Sequence, residues 1–163
     1  LQQERAHDPA PAPVGVLLRP TDPRRPDQAQ DQLRRARPRS RRLAPVVLAC
    51  GPRDSHTLGM EALGALLAHA GRRCCVLGAC TPVTAVVAPV ERVKPAAVVV
   101  VSHLSLGRRA AMEAVRTVAA LGVPTFYAGN AFISTSTRHR IPGIHLGGSL
   151  SDAVRVVETA ATG

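Results

Sequence analysis

No run of about 18 apolar residues occurs in this 163-residue chain, so no segment is long and apolar enough to cross a membrane as a helix. The first twenty residues hold Arg5 but no continuous apolar stretch followed by small residues, so a secretory leader of the usual form is not expected there. A cytoplasmic protein is the expectation. Cysteine is scarce: Cys50, Cys74, Cys75 and Cys80 form no C-x-x-C pair and have no C…H-x-H companion. If Cys74 and Cys75 lie in a strand, they point to opposite faces and cannot share one ion. Reduced, mostly buried thiols are expected. The length suits one domain with a core plus an appendage, and not two full domains.

What the chain has in excess is positive charge, +10 in all. Residues 1–44 carry ten Arg against five acids, and residues 45–163 carry eleven Lys and Arg against six. Seven of the fourteen prolines also fall before residue 45, beside the stretch "RPDQAQDQLRRARPRSRR", so residues 1–44 read as a largely disordered low-complexity linker. Its one helical candidate, about 26–36, is polar all round. Such an arm could attract nucleic acid, but a solvated linker is the simpler reading. The chain opens on Leu1 and not Met, which suits a piece of something longer.

From residue 45 onward, apolar runs alternate with helical patterns. "PVVLAC" (45–50) ends at Gly51-Pro52, and a helix follows with apolar positions Leu58, Ala62, Leu63, Leu66 and Leu67, stopped at Gly71. "RRCCVLGA" (72–79) reads as a second strand. Thr81-Pro82 then starts a helix to about Arg92, with Pro82 at its first helical position, where it costs no hydrogen bond. "AAVVVVS" (96–102) is the most continuous apolar run and the expected central strand. A helix over 107–121, a strand over 123–129, a polar stretch over 130–141, a short strand over 143–148 and a helix capped by Ser149 complete the chain. Five such units predict an α/β, flavodoxin-like three-layer fold with a five-stranded parallel sheet in the order 2-1-3-4-5. Ligands on that fold sit beyond the carboxyl ends of the strands, at the switch point between strands 1 and 3.

The notable polar residues fall at those ends. The first loop carries Asp54 and His56, the third Ser102, His103 and Leu104, and the fourth Ala128, Gly129 and Asn130. Strands 1, 3 and 4 are neighbours in the predicted order, so these loops should line one crevice.

The pattern Asp54-x-His56-x-x-Gly59, with Ser102-x-Leu104 after the third strand, resembles the D-x-H-x-x-G…S-x-L signature of cobalamin-binding domains. The resemblance spans residues 45–158. "TLGMEALGALLAHAGRRC" is most similar to the sensory domains of MerR-type cobalamin-dependent regulators. It implies adenosylcobalamin or methylcobalamin bound with its own base displaced, His56 serving as lower cobalt ligand and Asp54 accepting the other ring N–H. Ser55, Thr57 and Leu58 complete the first loop's contacts. Gly59 would let the helix approach the displaced nucleotide tail, Ser102 would hydrogen-bond its base, Leu104 would pack on it, and Ala128 and Gly129 would border it. His103 is counted with the third loop among the cofactor-binding residues, although its side chain should face away from Ser102 in a structural role, and His69, His139 and His145 show no partner pattern.

Two positions depart from the family's pattern. Ala128-Gly129 stands where a Gly-Gly pair is usual, and Gly147-Gly148 comes too late to replace it. Leu106-Gly107-Arg108 lacks the serine that relays protons in methionine synthase. Arg108 and Arg109 open a helix against its dipole, either solvated or holding an anion or partner.

A cobalamin domain supplies binding and orientation while the cofactor carries the reaction, so no catalysis is expected from this chain alone. The resemblance implies a regulator's sensory domain, with DNA as a partner through an upstream domain and possible homo-oligomers. The alternatives are a carrier subunit for a methyltransferase or mutase, or a domain that has lost its cofactor. Light sensing is not implied, because the regulators' Trp-bearing bundle has no counterpart and the chain has no tryptophan. A receiver domain of the same fold would need Asp where Val101-Ser102 stands.

Overall fold

The computed structural model describes residues 43–161. The arm expected over 1–44 therefore lies outside the described residues, apart from its last two. Five strands, β1 (Val46–Cys50), β2 (Cys74–Gly78), β3 (Ala97–Val101), β4 (Thr125–Ala128) and β5 (Ile144–His145), form one parallel sheet in the order β2-β1-β3-β4-β5. Between and after them run α1 (Leu58–His69), α2 (Val83–Val93), α3 (Arg108–Ala120), the single turn α4 (Thr135–Arg138) and α5 (Leu150–Ala160). The predicted fold class and strand order both hold.

Every residue of β1, β2 and β3 is buried, as expected of parallel strands covered on both faces. Alternation divides them between two cores. Val47, Ala49, Cys75, Val98 and Val100 pack on Val86 and Val90 of α2 and on Ala111, Val115 and Val118 of α3. Val46, Leu48, Cys74, Val76 and Val99 pack on Met60, Leu63 and Leu67 of α1 and on Ala153 and Val157 of α5. Cys74 and Cys75 thus enter opposite cores. Each fully buried valine contributes roughly 1.5–3 kcal/mol relative to an exposed one.

The structure moves several sequence boundaries. The first helix buries Met60, Leu63 and Leu67, while Leu58 is 81% and Leu66 42% exposed. Only Glu61 and His69 break the apolar character of α1, so its periodicity left the buried face undefined. The second strand starts at Cys74 because Arg72 and Arg73 are used elsewhere: Arg72 donates to the carbonyls of Glu158 and Ala161 at the end of α5, and Arg73 to that of Leu43. Pro82 is the residue before α2 and not its first helical one, and the Thr81 hydroxyl donates back to the Gly78 carbonyl at 2.9 Å. The helix expected from residue 107 begins with a 3-10 turn, Ser105–Gly107. Ser149 does cap α5, accepting from the Asp152 amide.

The pairing is in step where it matters. Cys50 pairs with Val101, and Val101 with Ala128, so the loops after β1, β3 and β4 leave the sheet at one level.

Candidate functional site

The loop after β1 is fixed before it reaches its histidine. The Asp54 amide donates to the Gly51 carbonyl at 3.1 Å, and the Asp54 carbonyl accepts from the Cys80 amide at 2.7 Å. Arg53, at φ 66, makes the left-handed turn that drives the next side chain inward. Asp54 is consequently 0% exposed.

Its carboxylate is held by donors from two loops. Oδ1 accepts the His56 amide at 3.0 Å and His56 Nδ1 at 2.9 Å. Oδ2 accepts the Ser102 hydroxyl at 3.1 Å, the His103 amide, and the Leu104 amide at 3.2 Å. Burial alone would raise the Asp54 pKa, but the hydrogen bonds from His103, His56 and Leu104 outweigh it and hold the carboxyl well below its ordinary range. An ionised carboxylate is an acceptor only, so Nδ1 of His56 carries the proton. Nε2 is then the ring nitrogen left to accept or ligate, and the His56 side chain is 57% exposed.

Beneath this loop the Cys50 thiol donates to the His56 carbonyl at 3.6 Å and lies 3.9 Å from Met60 Sδ. Burial first, and the Asp54 charge second, push that thiol up to about 12. It supports the loop and is no nucleophile.

Two depressions adjoin the pair. One, about 420 Å³, is lined by His56, Leu58, Gly59, His103, Leu104 and Asn130. The other, a crevice of about 580 Å³, runs between Gly59 and Leu63 of α1, the ends of β3 and β4 at Val101 and Ala128, and the start of α5. That volume lies within the range of about 300–1,000 Å³ usual for small-molecule sites.

The sequence-predicted residues divide accordingly. His56, Leu58, Gly59, Leu104, Ala128 and Gly129 reach these depressions. Ser55 is exposed, and Thr57 precedes α1 without a capping hydrogen bond from its side chain. Two placements add to the reading of the sequence. Ser102 is fully buried with its hydroxyl given to Asp54, and it is not on the crevice wall. His103 lines both depressions, its ring centroid 6.0 Å from that of His56. Arg108, for which solvation or an anion was expected, donates through Nε to the Ala131 carbonyl at 2.9 Å and ties two loops together.

The sequence reading missed the far wall. Arg138, His145, Gly147, Gly148 and Ser149 line the crevice as well. The Gly147-Gly148 pair, set aside as too late, therefore reaches the same space from β5. The signal was available, since ligands gather at the carboxyl ends of all the strands of such a sheet.

Among the described residues no group of three or more His, Cys, Asp or Glu could hold a metal ion.

No family model matches the chain, and no curated protein matches its sequence. Solved structures do match. The fold is the flavodoxin-like one of cobalamin-binding proteins. A chain of the methanol:cobalamin methyltransferase complex MtaBC from Methanosarcina barkeri superposes with a TM-score of 0.67 at 20% identity, over 82% of this chain and 52% of that one. A novel cobalamin-binding protein from Desulfitobacterium hafniense DCB-2 gives 0.65 at 22% identity, over 85% and 67%. The monomethylamine corrinoid protein of Methanosarcina barkeri gives 0.62 at 15%, over 70% and 57%. The present chain thus spans about half the length of the first. A signal receiver domain, that of the putative response regulator NarL from Mycobacterium tuberculosis, follows at 0.52 and 16%.

Proposed function

We propose that this chain binds cobalamin, in the adenosyl or methyl form, with His56 as the lower axial ligand of cobalt and the cofactor's own base displaced into the crevice. One observation carries the reading: the buried Asp54 carboxylate accepts a hydrogen bond from Nδ1–H and leaves Nε2 available on a half-exposed ring that lines the smaller depression. The surroundings suit the cofactor, because Gly59, Ala128, Gly129, Gly147 and Gly148 keep the walls low. When bound, the cobalt would supply any alkyl chemistry; the protein's part is to bind, orient and set ligand basicity.

The role we assign is the sensory domain of a MerR-type transcriptional regulator, carried by the likeness of "TLGMEALGALLAHAGRRC", with DNA bound through a domain upstream. A second reading, a cofactor-carrying subunit, is favoured by the fold neighbours from corrinoid methyl-transfer systems. Neither makes this chain an enzyme on its own. The coding sequence preceding Leu1 separates them: a helix-turn-helix supports the regulator, and an adjacent methyltransferase gene supports the carrier.

Visible spectra test the binding itself. Titrating hydroxocobalamin should shift the cobalt bands in the wild-type chain and leave them unshifted in His56→Ala. No shift in the wild type, or an equal shift in the variant, overturns histidine ligation.

A further inference from the structure

The far wall of the crevice carries chemistry that cobalt ligation does not use. Arg138 closes the single turn α4 and lines the crevice with His145 and the start of α5. One of its terminal nitrogens, Nη2, donates to the Ile133 carbonyl, whereas its Nε is buried with no hydrogen-bond partner among the described residues. Guanidinium offers five N–H donors and no acceptor; with one given to Ile133 and Nε shielded from solvent, the remaining terminal N–H groups are the donors that a ligand in the crevice could meet. The group is short of an acceptor.

Its neighbours supply none. No Asp or Glu lines the crevice. Nδ1 of His145 already accepts the Gly147 amide at 3.1 Å, so the neutral ring carries its proton on Nε2 and is a donor as well. Burial, and then the charge of Arg138, hold the His145 pKa below its ordinary value, which keeps that ring neutral near pH 7. The ring is also set by Tyr127, 5.5 Å away between centroids. The N-terminal end of the eleven-residue α5 adds positive potential to the same wall. A Cβ built on Gly147 or Gly148 meets nothing within 4 Å, so the backbone beside the cluster is open to close approach. One fixed cation, a neutral donor and a helix start, with no acid, select an anion.

We propose that Arg138, with His145 in the same wall, forms a subsite for the phosphodiester of the cobalamin nucleotide tail. The proposal rests on the cobalamin reading above. In that reading the tail is the part that fills the crevice, and the phosphodiester is its one anionic group. Arg138 then does more than close a turn: it makes the chain discriminate corrinoids by whether they carry a tail phosphate.

Three corrinoids test this on the intact chain: hydroxocobalamin, cobinamide, which lacks the nucleotide, and cobinamide phosphate, which restores the phosphate without the base. The wild type should bind cobinamide phosphate about tenfold more tightly than cobinamide, as expected for a charge-assisted pair. Arg138→Gln should bind the two equally while keeping its cobinamide affinity and His56 spectrum, which also shows that it is folded. Arg138→Lys, which keeps the charge and loses the fork, should retain part of the preference. No preference in the wild type, or one undiminished in Arg138→Gln, overturns the phosphate site while leaving histidine ligation standing. No spectral change with any of the three in the wild type overturns the cobalamin reading and this subsite with it.

Discussion

A Cβ built on Gly129 would stand 2.2 Å from the carbonyl oxygen of Ser102, so the loops after β3 and β4 meet backbone to backbone. The contact is completed by the Ser102 amide donating to Ala128 and the Ser102 carbonyl accepting from Ala131. Gly129 also sits at φ 102, where a side chain is strained whatever the space.

Gly129→Ala should therefore cost on the order of 3–4 kcal/mol, adding a steric shift to left-handed strain. Gly147, at φ 73 with open space around it, provides the comparison. Gly147→Ala should cost only about 1–2 kcal/mol. Urea unfolding of the two variants decides, and equal losses would contradict the close approach.

Asp54→Asn turns an amide N–H₂ toward donors that now meet a carboxylate oxygen. The loss should be on the order of 2–4 kcal/mol at neutral pH, given two or more donors left unmet. Its pH dependence has a definite sign. The folded-state pKa lies below the ordinary carboxylate value, so the unfolded chain takes up the proton first as pH falls. The stabilisation is complete above about pH 5, declines below about pH 4, and is gone once pH falls through the folded pKa. The difference in unfolding free energy between wild type and Asp54→Asn should shrink over that window, and a constant difference would refute the assignment.

Ser102→Ala separates support from ligand contact. Its buried hydroxyl donates to a charged acceptor, so its loss should cost about 1.5–3 kcal/mol of stability. An unchanged melting temperature together with weaker cobalamin binding would show that the hydroxyl meets the ligand after all.

Thiol labelling checks the cores. Cys50, Cys74 and Cys75 are buried with thiols pushed up to about 12, whereas Cys80 is exposed. Native protein at neutral pH should take one maleimide, at Cys80, and the unfolded chain should take four. Rapid native labelling at Cys50 would mean that the loop bearing His56 opens.

The sheet was readable because β1 and β3 are unbroken apolar runs closed by Gly51 and Ser102, and burial on both faces leaves such runs few alternatives. The Asp54–His56 pair was readable for a local reason, two residues on one loop. What escaped was set by tertiary contact. The destination of the Ser102 hydroxyl depends on a partner 48 positions away, and Arg138 and His145 reach the crevice only because β5 adds at the sheet edge. The buried face of α1 escaped for the opposite reason, an apolar surplus that fits several orientations.

A single carboxylate joins two loops, and this has a mechanical consequence. The His56 ring hangs from Oδ1 of Asp54, while the backbone after β3 hangs from Oδ2. Any force that tilts the imidazole is delivered to the opposite bank of the crevice within one side chain's length. Ring and bank are coupled like two leaves on one pin, and withdrawing the ring loosens the floor on which Leu104 and His103 stand.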